Sequence, residues 1–187
     1  MKFLFGLLLS AMCALAADKD ATAFDLMKEG NRYVGEQAKD RVVQMRSERS
    51  AGSLSPKVWY VVYYDPTASM KAVEVKFAAG KMMDVKRPFR LIEMAKDSDR
   101  TFDKAKLKID SDEAIKLAIK EPILEDVKVK SVEAKLENHN VLGPVWRLKL
   151  WAEKLVKLNE TANIGTMTIS AEDGKMVTSD IKLNRLD

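Results

Sequence analysis

One histidine, one cysteine and 28 acidic side chains are the groups from which this 187-residue chain would build most metal, thiol or acid–base sites. His139 sits between Asn138 and Asn140, in a segment composed like a turn. A metal site normally draws on two or more His or Cys ligands, and there is no second histidine. Cys13 lies in an apolar run at the N-terminus that reads as an export signal. Removing that signal leaves a mature chain with no thiol nucleophile and no disulfide. H-E-x-x-H and G-x-S-x-G are absent, and the eight glycines form no phosphate-binding loop. Glu172-Asp173 is the most concentrated acidic pair, yet adjacent acids before Gly174 are ordinary turn chemistry. The expectation is a non-enzymatic protein with no catalytic residue, no metal ligand and no cofactor.

The groups suited to binding are more numerous. Residues 81–90 (KMMDVKRPFR) carry four basic side chains, Lys81, Lys86, Arg87 and Arg90, against one acid. They read either as a solvated edge strand protected by its charge or as an anion site. The aromatic residues Trp59, Tyr60, Tyr63, Tyr64, Trp146 and Trp151 read either as core or as a platform for sugar or peptide. Tyr64 and Trp151 are the best platform nominees, because each points away from the leading tryptophan of its own strand. The candidate ligand contacts are therefore Lys81, Lys86, Arg87, Arg90, Tyr64 and Trp151. Across the chain 32 Lys and Arg face 28 Asp and Glu, a formal charge of +4 with pI near 9.0. The two signs are interspersed, which argues against a nucleic-acid partner, whose binders concentrate basic residues on one face.

These residues sit in a pattern that occurs twice. VWYVVYYD at residues 58–65 is echoed by VWRLKLWA at 145–152. Downstream, VEVKFAAGKMM at 73–83 is echoed by MTISAEDGKMV at 167–177, and both contain Gly-Lys-Met. A duplicated supersecondary unit constrains architecture before any single residue is weighed. Helical spacing over residues 21–37, weakened by Gly30 and Gly35, precedes the first set of strands. Asp110 and Glu113 resemble a capping box before a second helix that Pro122 stops. Residues 58–65 are apolar on both faces, the pattern of a strand covered on both sides. A phase shift near Ser131 calls for a β-bulge. The expected fold class is α+β, with two repeated units, each a helix packed on a four-stranded antiparallel sheet. Units at 17–96 and 108–187 are joined by a charged linker at 97–107.

The N-terminus supplies the location. Lys2 precedes an uncharged apolar run at residues 3–13, and Ala14-Leu15-Ala16 offers small residues for signal peptidase. Residues 1–16 are read as a signal peptide cleaved near Ala16, giving a secreted or periplasmic protein. The apolar run is shorter than the ~20 residues a spanning helix needs. No later run is long enough to cross a membrane, so no transmembrane segment is expected after cleavage.

In this order the chain resembles the PepSY family, through DSDEAIKLAIK at 110–120, PVWRLKLWA at 144–152 and TMTISAEDGKMV at 166–177. The earlier stretch is similar more loosely: Ala79 replaces the acidic turn residue, and glycines interrupt the helix. The resemblance implies tandem PepSY-like modules that bind or restrain other proteins rather than catalyse. With no protease domain in the same chain, a protein partner would be a separate chain. The implied function is an exported binding module that engages another secreted or envelope protein, through a sheet edge or groove. The alternative is binding of a small ligand or anionic envelope polymer through the basic strand and exposed aromatics.

Overall fold

A computed structural model describes residues 21–87, 101–157 and 159–187; the signal peptide and Arg90 lie outside the described residues. Helix α1 spans Ala23–Gly30 and starts at Thr22 in a capping box: the Thr22 hydroxyl accepts from Asp25 N–H, and the Asp25 carboxylate accepts from Thr22 N–H. Its last residue, Gly30, is glycine for a steric reason. A Cβ there would stand 2.1 Å from the Tyr63 hydroxyl, which donates to Met27 carbonyl at 2.8 Å. Helix α2 spans Ser111–Ile119 with Asp110 as its N-cap.

Eight strands follow the period-two pattern: β1 Val42–Ser47, β2 Val58–Tyr64, β3 Ala72–Ala78, β4 Lys81–Lys86, β5 Val129–His139, β6 Gly143–Glu153, β7 Thr161–Ser170 and β8 Met176–Ile181. They form one sheet in the order β4-β3-β2-β1-β5-β6-β7-β8, and every pairing is antiparallel. A bulge interrupts β5 between Val129 and Ser131, where the apolar phase shifts. One face buries Trp59, Val61 and Tyr63 from β2, Val75 and Phe77 from β3, Leu136 from β5, and Trp146, Leu148 and Leu150 from β6. Both helices pack on that face, within one core.

The tryptophans that open the two echoed segments meet at its centre, with ring centroids 6.2 Å apart and an edge-to-face angle of 78°. Phe24 of α1 stacks on Trp146 from the helix layer. Each indole N–H has a backbone acceptor, Pro56 carbonyl for Trp59 and Ile109 carbonyl for Trp146. Buried indoles need such partners, and the aromatic contact adds about 0.5–1.5 kcal/mol beyond area burial.

This architecture corrects the expected fold class. The described residues do not form two helix-on-four-strand units; they form a single eight-stranded antiparallel sheet with two short α-helices. The cause is the pairing of β1 with β5, Met45 with Leu136 and Arg46 with Lys135. That ladder is short, and side chains extend it. Ser47 Oγ accepts from Ala134 N–H, Ser50 Oγ accepts from Val132 N–H, and Ser50 N–H donates to Val132 carbonyl, all at 2.8–2.9 Å. The helices are tied as well: Ser111 Oγ accepts from Ala23 N–H at 3.1 Å, and the Asp110 carboxylate accepts from Phe24 N–H. Phe102, buried in the core, donates its N–H to Val42 carbonyl on β1.

Strand β2 also differs from its reading. Its second face carries Tyr60, Val62 and Tyr64 half-exposed. No helix covers them; cationic side chains lie over the rings instead.

Candidate binding surfaces

Among the described residues, strand β4 is one margin of the sheet and pairs only with β3. Its hairpin loop, Ala79-Gly80, has both residues at positive φ, 48° and 76°, the type I′ geometry that matches strand twist. Register assigns the side chains to faces. Met82 pairs with Phe77 and Val85 with Val75, both core-side positions, whereas Lys81, Asp84 and Lys86 pair with the open-face residues Ala78, Lys76 and Glu74. Met83 is the extra residue of a bulge between Asp84 and Met82. Met82, Met83 and Val85 are 37%, 61% and 39% exposed.

The basic residues nominated here are in part already matched. Lys86 pairs with Asp84 at 2.9 Å, and this contact lowers the Asp84 pKa and raises that of Lys86. Arg87 lies 3.7 Å from Asp65. Burial pushes the Asp65 carboxyl up, but hydrogen bonds from Thr67 and the charge of Arg87 together hold it below its usual range. Lys81 has no ion-pair partner among the described residues. Tyr64 belongs to the same corner through its neighbour Asp65, and Arg41 lies 4.6 Å from its ring centre.

Trp151 does not join them. It lies near the end of β6, two strands away across β1 and β5 and at the opposite end of the sheet from Tyr64. Arg49 and Lys149 flank its ring at 4.6 and 5.0 Å. Of the described nominees, Lys86, Arg87 and Tyr64 share one corner, Lys81 lies at the opposite end of β4, and Trp151 forms a separate site.

Between them runs a face of paired charges. Arg46 lies 4.0 Å from the Tyr60 ring centre and pairs with Glu74 at 2.6 Å. Tyr60 donates its hydroxyl proton to Glu48 at 2.6 Å, which with Lys76 lowers the Glu48 pKa. Arg147 and Lys135 share Glu137. Sequence alternation in β1 marked this wet face, but the stacking partners of the tyrosines depend on cross-strand register and were not identified from it.

Two concavities complete the surface. An apolar cleft of about 250 Å³ lies between α2 and the loop before β2, with Leu54, Pro56, Trp59, Ile115 and Ile119 in its lining. A broader, polar groove of about 650 Å³ follows the seam where β1 meets β5, lined by residues 49–54, 129–131 and 161. His139 is the last residue of β5, and its Nδ1 accepts from the N–H groups of Val141 and Leu142 in the turn that follows. Glu172 is 3.9 and 3.8 Å from Lys106 and Lys108, and Asp173 pairs with Lys175 in the β7–β8 turn. No cluster of three or more potential metal ligands occurs among the described residues. Among them, no helix is long and apolar enough to cross a membrane.

Comparison with known proteins finds no matching family model, no matching curated protein and no matching solved structure.

Proposed function

We propose that the chain is an exported, non-enzymatic binding module of PepSY-like character, which engages another secreted or envelope protein by strand addition at β4. The observation that carries this reading is the composition of that margin. A strand offers unpaired backbone groups along its outer side, and an extended segment of another chain can complete them. Here the core-side row, Met82 and Val85, is apolar and exposed, while the open-face row presents Lys81 beside the ion pair of Asp84 and Lys86. The fitting partner is an extended segment with alternating character, apolar toward the helix layer and acidic toward the open face. Its apolar residues would continue the core outward by one strand. The polymer reading is weaker at this place, because Asp84 and Asp65 already engage Lys86 and Arg87.

The test is capture from an exported fraction with the mature chain as bait, at low and at high salt. Charge contacts alone weaken as the screening length shortens, whereas backbone pairing and apolar burial do not. The expected result is a discrete protein retained at high salt by the wild type and lost from Met82→Lys/Val85→Lys. Retention of only acidic polymer, released by salt, would transfer the function to the alternative ligand class. Equal capture by the double variant would remove β4 from the interface.

A further inference from the structure

Arginines on the open face differ in what neutralises them. Arg46 has Glu74 at 2.6 Å, and Arg147 has Glu137 at 2.7 Å. Arg49 has no carboxylate partner among the described residues. Its Nε donates to Ser131 Oγ at 2.7 Å, its Nη2 donates to Thr161 Oγ1 at 2.6 Å, and its guanidinium lies 4.6 Å from the Trp151 ring centre. These contacts fix the plane of the guanidinium without cancelling its charge. They also leave Nη1 with no protein acceptor among the described residues.

The surroundings reinforce the imbalance. Glu153 is shared by two lysines, Lys128 at 3.2 Å and Lys130 at 3.4 Å, and the Lys128 contact is the leading cause of its lowered pKa. One carboxylate thus serves two cations beside an arginine that has none. Lys149 and Glu133, opposite one another in the β5–β6 register, balance each other in charge. Arg49 and Lys130 both line the seam groove, together with Gly52 and the hydroxyl-bearing Ser131 and Thr161, whose oxygens accept from Arg49 and keep their own protons to donate. A planar guanidinium held rigid beside a second cation and several hydroxyls suits the oxygens of a phosphate or carboxylate.

We infer that the seam groove is an oxyanion-binding site, with Arg49 as the fork and Lys130 as the second cation. The ligand is a phosphate or carboxylate group. The site is separate from β4 and does not depend on the proposed protein partner. The groove is open, so the group it takes can project from a larger molecule.

The experiment titrates the isotope-labelled mature chain with inorganic phosphate, and separately with acetate, at constant ionic strength made up with chloride. Backbone amide signals of residues 50–53 and the Trp151 indole N–H are followed by NMR. Saturable shifts confined to these positions are expected with at least one of the two anions, and which anion acts identifies the ligand class. Arg49→Lys, which keeps the charge and loses the fork, is expected to bind about tenfold or more weakly. Lys130→Gln leaves the Ser131 and Thr161 hydrogen bonds in place and should also weaken binding, whereas Lys81→Gln on β4 should not. Shifts that stay linear with both anions, or that are unchanged in both Arg49→Lys and Lys130→Gln, would overturn the site and leave Arg49 as a structural tie.

Discussion

The two margins of the sheet are built from the same elements and finished differently. Both β4 and β8 are six-residue strands with a bulge, and both follow a tight turn containing glycine. At β8 the apolar residues Met176 and Ile181 pack against the core, and the exposed positions are Thr178, Ser179 and Asp180. The chain beyond β8 folds back so that Leu183 packs against the core and Leu186 is buried within it; Leu186 carbonyl accepts from Leu155 N–H. At β4 the equivalent apolar row, Met82 and Val85, stays in water and is flanked by lysines. A bulge and lysines are devices that discourage indiscriminate edge pairing. An apolar row kept exposed behind them suits a selective partner rather than a closed boundary.

Substitutions at the two margins sharpen the contrast. Leu186→Ala is expected to cost about 2–5 kcal/mol in denaturant unfolding, the range for deleting a buried leucine side chain. Val85→Ala on β4 should change stability by less than about 0.5 kcal/mol, as an exposed position away from packing does. A comparable cost at both sites would mean that β4 is covered as thoroughly as β8.

The turns differ in the same direction. Gly174 in the β7–β8 turn has φ of 74°, and a Cβ there would lie 2.9 Å from Leu117 of α2. Gly174→Ala should therefore lose about 1–2 kcal/mol. Ala79 holds φ of 48° at the first position of a type I′ loop, where asparagine is preferred. Ala79→Asn should gain about 0.5–1 kcal/mol, read as a higher denaturation midpoint at unchanged slope.

The smallest effect is electrostatic. Lys175, then Ser170, hold the Asp173 carboxyl down to about 2, from an ordinary value of 3.8. A folded-state pKa below the unfolded one contributes stability that is complete above the ordinary value and is lost as pH falls toward about 2. Because the group is exposed the contribution is small. NMR titration should place the Asp173 midpoint near 2, and Asp173→Asn should flatten the stability profile only in that acid window.

Much of this was readable along the chain, and the parts that were not share a cause. Alternation assigned the core side of β6 but not of β2, which read as apolar on both faces; the tryptophans of those two segments meet in the core. The phase break at Ser131 marked the bulge in β5. Local pattern could not show that β1 would take β5 as its second neighbour. That choice joins residues about 90 positions apart and rests partly on the hydroxyls of Ser47 and Ser50, which have no periodic signature. The candidate sites fared similarly. The basic residues of β4 stood out, as did Asp84 two residues before Lys86, but the Asp65 partner of Arg87 comes from the β2–β3 turn, and Trp151 belongs with Arg49 rather than with Tyr64. Nothing in the sequence around Arg49 sets it apart from neighbouring charges; that no carboxylate among the described residues pairs with it is a consequence of the fold.

The most direct test of strand addition at β4 places a photo-crosslinking amino acid at Met83 in one variant and at Ser179 in another, in the mature chain exposed to the exported fraction. The account predicts a discrete protein adduct at high salt from position 83 and none from position 179. Equal adducts from both positions, or none from position 83 under conditions where the wild type captures a partner, would contradict it.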